Sequence, residues 1–226
     1  MSATKSGPVA VLYYATRDGQ ARRITEYIQR RLAEKSITTS LQNAAITPAP
    51  TVLAAAGALV LVAAVRYGHH LPEAESFLRI YQSLTSPPPL VLASVNLTAR
   101  KPAKTTAVSN NYLRKTIAHH RLDPAIATAF AGRLDYSRYR WLDRHIIRFI
   151  MLLTQGPTKL DTCIEYTSWS AVDVFAAQIA DLIQRVPAIE PAKGCDLSGV
   201  KDGSPVEGRK RLSDSQACSE QLPTAG

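Results

Sequence analysis

Cysteine is scarce in this sequence of 226 residues, which contains only three. Cys163, Cys195 and Cys218 are odd in number and far apart, so they form neither a CxxC pair nor a disulfide framework. The histidines add no spacing typical of a metal site. We therefore expect a reducing compartment and no bound metal.

Long hydrophobic runs are also missing. The longest, residues 52–65, has 14 residues, whereas a membrane-spanning helix needs roughly 20. The first residues lack the extended apolar segment and small-residue cleavage site of a secretory signal peptide. These absences predict a cytoplasmic protein with no spanning helix.

Acidic residues are too few to balance the basic ones: 18 Asp and Glu face 27 Lys and Arg, a formal charge of +9. Residues 100–121 contain six basic and no acidic residues, and residues 133–159 contain six basic and two acidic ones. Such a surplus favours an anionic partner, either a membrane surface or an acidic small molecule. No nucleic-acid-binding motif accompanies it, so we expect no nucleic acid partner.

What the sequence does contain is an alternation of short apolar runs with helical patterns. This alternation predicts an α/β fold, a doubly wound parallel sheet of five strands with helices on both faces. The helix after the first strand is marked by apolar residues four apart, at Ile24, Ile28 and Leu32. The other expected elements are strands at Val9–Tyr14, Ile37–Leu41, Ala58–Ala64, Leu90–Val95 and Ile126–Ala131 and helices at Glu73–Leu84, Ala107–His119 and Ser168–Arg185.

Two segments stand apart from this pattern. Within residues 133–159, arginines recur every four residues beside an apolar stripe, which predicts a basic amphipathic helix inserted before the last helix. Such a helix lies on an anionic membrane, covers a large apolar anion, or packs on the domain with its arginines in water. Residues 187–226 are polar and predicted to be a disordered tail, which leaves residues 1–186 as the folded domain.

Ligands of open parallel sheets bind beyond the carboxyl ends of the strands. Three loops reach that edge: Ala15–Ala21, Val65–His70 and Ser94–Lys101. The first precedes a helix, whose N-terminus favours a phosphate. It is equally compatible with a plain turn in which Asp18 caps the helix. The five histidines are expected in loops or on helix surfaces, with His69 the best placed to contact a ligand.

Four motifs, TRDGQ, VRYGHH, SVNLTARKP and LDYSRYRWLDRHIIRFIM, occur in this order. Together they resemble the flavodoxin-like, quinone-dependent protoporphyrinogen IX dehydrogenases of bacteria. The resemblance implies a flavodoxin-like sheet of order 2-1-3-4-5 and one FMN. It also implies oxidation of protoporphyrinogen IX to protoporphyrin IX, a late step of haem biosynthesis, with electrons passed to a membrane quinone. The enzyme would then sit peripherally on the inner face of the cell membrane; the oligomeric state stays open.

The resemblance assigns residues to FMN and to the substrate or membrane, and it assigns no catalytic residue. Three loops would hold FMN, through Ala15, Thr16, Arg17, Asp18, Gly19, Gln20, Ala21, Arg66, Tyr67, Gly68, His69, Ser94, Val95, Asn96, Leu97, Thr98 and Ala99. The inserted helix region would contact the substrate or an anionic membrane surface through Arg133, Tyr136, Arg138, Arg140, Arg144 and Arg148.

One motif departs from the family pattern. The phosphate loop of flavodoxins usually reads T-x-T-G-x-T, and here the hydroxyl positions are Thr16, Asp18 and Ala21. A carboxylate repels a phosphate, so we expect Asp18 to cap the helix or to pair with Arg17 or Arg22. Backbone amides would then bind most of the phosphate.

The sequence leaves two other functions open. One is a flavodoxin-type electron carrier or quinone reductase with no porphyrin substrate, although such carriers are typically acidic and this chain is basic. The other is a flavin-free interaction module on anionic membranes. A purified protein that lacks flavin absorbance would favour the flavin-free module, whereas the enzyme and the electron carrier both require bound flavin.

Overall fold

The computed structural model describes residues 10–135 and 163–185. They form an open sheet with helices on both faces, as the alternation predicts. The strands are β1 (Ala10–Ala15), β2 (Thr39–Asn43), β3 (Ala58–Arg66), β4 (His69–His70), β5 (Leu90–Val95), β6 (Ile126–Phe130), β7 (Arg133–Asp135) and β8 (Cys163–Glu165). The α-helices are α1 (Gln20–Glu34), α2 (Pro50–Ala54), α3 (Pro72–Gln82), α4 (Asn111–His119) and α5 (Trp169–Arg185), and two 3₁₀ helices span Leu97–Arg100 and Pro102–Lys104.

Five parallel strands form the main sheet in the order β2-β1-β3-β5-β6. Counting only these strands along the chain gives 2-1-3-4-5, so the predicted order is confirmed. The order reverses beside β1, because β2 lies on one side of it and β3 on the other. This reversal puts the loops after β1 and β3 next to each other, where open α/β sheets bind their ligands.

Each face of the sheet buries its own hydrophobic core. On one face, Ile24, Ile28 and Leu32 of α1 pack with Phe175 and Ile179 of α5. On the other, Phe77 of α3 and Leu113 of α4 are fully buried. Since β3 and β5 are buried on both faces, they consist of continuous apolar runs. A fully buried side chain of this size contributes roughly 1.5–3 kcal/mol.

Most predicted elements are confirmed with small shifts at their ends. Leu90–Val95 is a strand over the predicted residues, and β3 continues two residues past Ala64. The second strand lies two residues later than predicted because all five of its residues are only half-buried and provide no apolar contrast. The helix predicted from Ala107 starts at Asn111, where Asn110 caps it.

Six of the described elements were not predicted, among them both 3₁₀ helices. A short helix begins at Pro50, β4 folds back antiparallel on β3, and β7 pairs antiparallel with β8. The predicted helix within residues 133–159 and the predicted tail of residues 187–226 lie outside the described residues, apart from residues 133–135. Among the described helices, none is both long and apolar enough to cross a membrane.

Candidate functional site

A cavity of about 630 Å³ opens at the carboxyl ends of β1, β3 and β5. Its volume lies in the usual range for small-molecule sites. All three loops expected to bind the ligand contribute to it. The described residues that line it are Thr16, Asp18, Gln20, Ala21, Ala64, Val65, Arg66, Tyr67, Gly68, Val95, Asn96, Leu97, Thr98, Arg100, Lys101, Lys104, Tyr112, Gly132 and Arg133.

The first loop turns sharply from β1 into α1. Gly19 has φ of 87°, a left-handed conformation that favours glycine. The Thr16 hydroxyl accepts a hydrogen bond from the Gly19 amide at 3.0 Å, which closes the turn. Gly19 is the N-cap of α1 and has no side chain that could accept hydrogen bonds from the amides of the first helical turn. The loop therefore presents backbone N–H groups at a helix N-terminus, a geometry that binds anions.

Asp18 does not take either of the roles expected from the sequence. Gly19 is the N-cap of α1, and the Asp18 carboxylate contacts the Arg66 guanidinium at 2.7 Å. Arg17 instead pairs with Glu73 of α3, with one of its two hydrogen bonds at 3.1 Å. The prediction that Asp18 pairs with Arg17 or Arg22 is wrong, because β1 and β3 are adjacent and bring Arg66 to the loop from 48 residues away.

The hydrogen bonds of Arg17 hold the pKa of Glu73 below its usual value. Glu73 therefore remains ionised beside the first loop at neutral pH. The ion pair fixes the first turn of α3 against the turn between β1 and α1. Arg17, predicted to contact a cofactor, is engaged with α3.

Gln20 connects the first loop to the far end of the described chain. Its amide donates to the Thr167 hydroxyl at 2.9 Å and to Glu165 at 3.1 Å. The Thr167 hydroxyl in turn donates to the carbonyl of Ala131 at 2.8 Å. The Gln20–Thr167–Ala131 hydrogen bonds are buried and connect the first loop to the residue before Gly132, which lines the cavity. No sequence pattern points to Thr167, because its hydrogen-bond partners are more than 30 residues away.

The second loop is a tight β-hairpin. Arg66 pairs with His69 across a turn in which Tyr67 has φ of 50° and Gly68 has φ of 84°. Positive φ at both central positions is the mark of a type I′ turn. Tyr67 is 64% exposed at the mouth of the cavity. His69 is exposed on β4, next to the hairpin turn, and is not among the described residues that line the cavity.

The third loop is held by two buried asparagines. The Asn96 side chain accepts a hydrogen bond from the Ala99 amide at 3.2 Å and caps the first 3₁₀ helix. The Asn110 amide donates to the Asn96 side chain at 3.1 Å and to the Lys104 carbonyl at 2.9 Å. Val95, Leu97 and Thr98 line the cavity. Ser94 and Ala99, by contrast, are buried behind it.

Ser94 belongs to a buried polar chain that includes His70. One His70 ring nitrogen lies 2.8 Å from the Thr116 hydroxyl and the other lies 2.9 Å from the Ser94 hydroxyl. Asn96 donates to the same Ser94 hydroxyl at 3.0 Å. Burial lowers the pKa of His70 to about 4, so the ring is neutral at physiological pH. His70 thus positions the residues behind the third loop.

The expectation that the histidines lie in loops or on surfaces is wrong for two of them. His70 and His120 are 5% and 4% exposed. His120 lies 2.5 Å from Glu75 through Nε2 and 3.1 Å from Gln82 through Nδ1. Among the described residues, Glu75, His119 and His120 form a group whose potential metal-ligating atoms lie within 4.8 Å of one another. The His120–Glu75 contact accounts for this cluster, and the absence of a metal stays a prediction.

Of the residues expected to contact the substrate or membrane, Arg133 lines the cavity. Tyr136, Arg138, Arg140, Arg144 and Arg148 lie outside the described residues. Ala15, expected among the cofactor-binding residues, is fully buried in the core.

Several described residues of the lining were not assigned to the cofactor or substrate from the sequence, although Val65, Arg100 and Lys101 belong to the loops predicted at this edge. Two continue the apolar wall of β3, one follows β6, and the others belong to the basic segment after β5; these residues are Ala64, Val65, Gly132, Arg100, Lys101, Lys104 and Tyr112. The basic segment was recognised from its charge alone. Its position at the cavity depends on the two asparagine side chains, which the sequence pattern does not specify.

Comparison with known proteins gives a consistent set of relatives. The sequence pattern of the flavodoxin domain family matches residues 11–161. A protoporphyrinogen IX dehydrogenase [quinone] of Escherichia coli K12 is 34% identical over 77% of this chain and 96% of its own. A protein of the same name from Leishmania major is 37% identical over 80% of this chain and 78% of its own.

Among solved structures, an archaeal flavodoxin is similar at 11% identity with a TM-score of 0.44. The match covers 77% of this chain and 98% of the flavodoxin.

Proposed function

The chain belongs to the flavodoxin domain family, among the quinone-dependent protoporphyrinogen IX dehydrogenases, and we propose that it oxidises protoporphyrinogen IX to protoporphyrin IX. FMN is the cofactor and a quinone is the electron acceptor. The observation that carries this function is the cavity, which is lined by all three loops of the family resemblance. The chain that forms it is 34–37% identical to enzymes of that name. The electron-carrier alternative is not favoured, because those relatives are named as dehydrogenases.

The residues that line the cavity fit FMN. The N-terminal amides of α1 and the Thr16–Gly19 turn suit a phosphate monoester, and the space over Gly19 is open. Arg66 adds a cation close to that turn. The apolar walls at Ala64, Val65 and Val95 suit a flat aromatic ring. When bound, FMN would accept a hydride from the substrate and pass the electron pair on to quinone.

In this proposal the chain binds and orients rather than reacts. The first loop binds the phosphate, and the hairpin with Tyr67 and the third loop with Leu97 and Thr98 flank the ring. The Asn96–Asn110 pair fixes the third loop, so that the substrate meets a preorganised wall. The macrocycle loses six electrons and six protons in total, and three quinones become three quinols. The oxidation therefore takes three turnovers of the site.

The test is anaerobic turnover. Purified protein loaded with FMN is mixed with protoporphyrinogen IX and a short-chain quinone, and porphyrin fluorescence is followed. We expect three quinones to be consumed per porphyrin formed, at a rate proportional to enzyme. The same protein stripped of FMN is the control. A rate that does not exceed the reaction of quinone with substrate alone would overturn the proposal.

We further propose that the enzyme works at the inner face of an anionic membrane, where its quinone resides. Support comes from the basic residues of the segment 100–121, which has no acidic residue. Co-sedimentation with anionic vesicles that weakens at high salt is the expected result. Equal sedimentation with neutral vesicles would contradict an electrostatic association.

A further inference from the structure

Gln20 is the first residue of α1, the helix whose N-terminal amides suit a phosphate. It lines the cavity, although the residue is only 9% exposed. The family resemblance places it among the FMN-binding residues. Because phosphate oxygens are hydrogen-bond acceptors, the side chain of Gln20 could bind the phosphate only through the two hydrogens of its amide.

Both of these hydrogens are already engaged. The Gln20 amide donates to the Thr167 hydroxyl at 2.9 Å and to the Glu165 carboxylate at 3.1 Å. What remains is the amide oxygen, a second acceptor that a phosphate would not bind. The side chain therefore connects two parts of the chain and leaves the cofactor to the backbone amides. We call Gln20, Glu165 and Thr167 the α1 clamp.

The two acceptors of the α1 clamp are themselves held in place. The other carboxylate oxygen of Glu165 accepts a hydrogen bond from Arg23 of α1 at 2.8 Å. The Thr167 hydroxyl donates to the Ala131 carbonyl at 2.8 Å. The first turn of α1 is thus joined at two positions, Gln20 and Arg23, to the segment that leads from β8 into α5.

The same segment holds the wall of the cavity that follows β6. We call residues 131–133 the β6 wall, since Gly132 and Arg133 line the cavity. The Gly132 carbonyl accepts a hydrogen bond from the Tyr166 amide at 3.2 Å, and Arg133 pairs with Glu165 in the β7–β8 ladder. These contacts attach the β6 wall to the residues that the α1 clamp fixes.

The two sides of the α1 clamp differ in how firmly they are held without it. Helix α1 is anchored in the core by Ile24, Ile28 and Leu32, and the Thr16–Gly19 hydrogen bond closes the turn before it. Strands β7 and β8 have three residues each, and an isolated pair of strands is marginally stable. Helix α1 is therefore the fixed side, and the β6 wall is the side that is positioned.

We propose that Gln20 is a positioning residue for the substrate: through the α1 clamp it holds the β6 wall, and with it Arg133, in the place that the tetrapyrrole requires. The inference rests on the proposed function, because Arg133 is a described residue expected to contact the substrate or membrane. It departs from the expected role of the Gln20 side chain as an FMN ligand. The backbone amides of α1 bind the cofactor, and its first side chain places the wall.

Two single variants break the α1 clamp from opposite sides. Gln20→Ala removes the donor, and Thr167→Val removes the hydroxyl with little change in volume. Both residues are buried, so water does not readily replace the lost partner. We expect each variant to raise the KM for protoporphyrinogen IX about threefold to tenfold, with kcat and the Kd of FMN changed by less than about twofold. The double variant should match the single ones, because they interrupt one chain of hydrogen bonds.

Two further variants are the controls. Thr167→Ser keeps the hydroxyl and should keep the wild-type KM, which separates the hydrogen bond from packing. Gln29→Ala makes the same change as Gln20→Ala on the same helix. Its amide donates to Thr39 of β2 at 3.3 Å, and Gln29 is not among the described residues that line the cavity. It should leave the KM unchanged. If Gln20→Ala fails to fold, Thr167→Val and Thr167→Ser decide the question.

A binding measurement separates this inference from the function on which it rests. FMN-loaded wild type and variants are titrated with protoporphyrin IX, and the porphyrin fluorescence is followed without turnover. Weaker porphyrin binding in Gln20→Ala and Thr167→Val, but not in the two controls, supports the positioning role even if the wild type fails to oxidise the substrate. Wild-type porphyrin binding in both clamp variants overturns it, while turnover still decides the function.

Two other results would also overturn the positioning role. Weaker FMN binding in Gln20→Ala but not in Thr167→Val would make Gln20 a direct cofactor ligand. A lower urea midpoint in both clamp variants, with an unchanged KM, would mean that the α1 clamp only stabilises the fold.

Discussion

At the scale of single residues, the Asp18–Arg66 ion pair determines how the first loop can accept an anion. The pair closes at 2.7 Å, with side chains that are 35% and 21% exposed. A carboxylate at a position that is usually a hydroxyl would repel a phosphate, and Arg66 compensates it. The loop therefore depends on backbone amides and the Thr16–Gly19 turn. This explains how two of three hydroxyl positions can change without removing the site.

Replacing Asp18 should strengthen the binding of FMN. In Asp18→Asn the carboxylate that repels the phosphate is removed, so we expect the Kd of FMN to fall by about threefold to tenfold, roughly 1 kcal/mol. Quenching of flavin fluorescence on titration measures this. Glu26→Gln, which breaks the exposed Arg22–Glu26 pair on α1, is the control with equal charge change. Weaker binding by Asp18→Asn would mean that the pair holds the loop in shape.

His70 should make the stability of the fold depend on pH. Its pKa is about 4 in the folded state because of burial, and about 6.5 in the unfolded chain. The folded state thus binds fewer protons, so stability is complete above pH 6.5 and decreases as the pH falls towards 4, by up to about 3 kcal/mol. Glu75 opposes this shift, whereas His120 and His69 reinforce it.

Urea unfolding of wild type and His70→Gln at pH 7.5 and 5 measures the effect. The glutamine variant should be less stable at pH 7.5 but should lose less stability on acidification. His119→Gln, which changes an exposed histidine, should keep the wild-type dependence. An unchanged dependence in His70→Gln would show that other groups cause it.

At the scale of elements, the β3–β4 hairpin and the β7–β8 pair separate what the sequence predicts from what it does not. Strands β3 and β5 were predictable because burial on both faces requires continuous apolar runs. The hairpin was missed because Tyr67–Gly68 lacks the usual Asn-Gly signature of a type I′ turn. The pair β7–β8 was missed because its three-residue strands are 28 positions apart and have no pattern of their own.

The hairpin turn should tolerate no side chain at Gly68. Its φ of 84° is unfavourable for any L-residue, so Gly68→Ala should destabilise the protein by about 1 kcal/mol. Gly132→Ala is the matched control, since a Cβ there meets Val95 at an ordinary 3.4 Å. Urea midpoints of the two variants give the comparison. Equal stability of both would indicate that the hairpin turn is not under this constraint.

At the scale of the whole molecule, the predicted strand order and the excess of positive charge meet at one cavity. The order 2-1-3-4-5 brings the three loops together, and residues 97–104 put three cations beside them. The loops could be predicted because parallel strands share one carboxyl edge. The pairing of Asp18 with Arg66, the buried His70 chain and the Gln20–Thr167 contact could not, because each depends on tertiary neighbours far apart in sequence.

Flavin reduction by the substrate in a single turnover tests the central claim most directly. FMN-loaded protein is mixed with protoporphyrinogen IX without oxygen or quinone, and the visible absorbance of oxidised flavin is recorded. We predict that this absorbance disappears on mixing and returns when quinone is added. Absorbance that persists with substrate in excess would contradict the assignment of this cavity as the site of protoporphyrinogen oxidation.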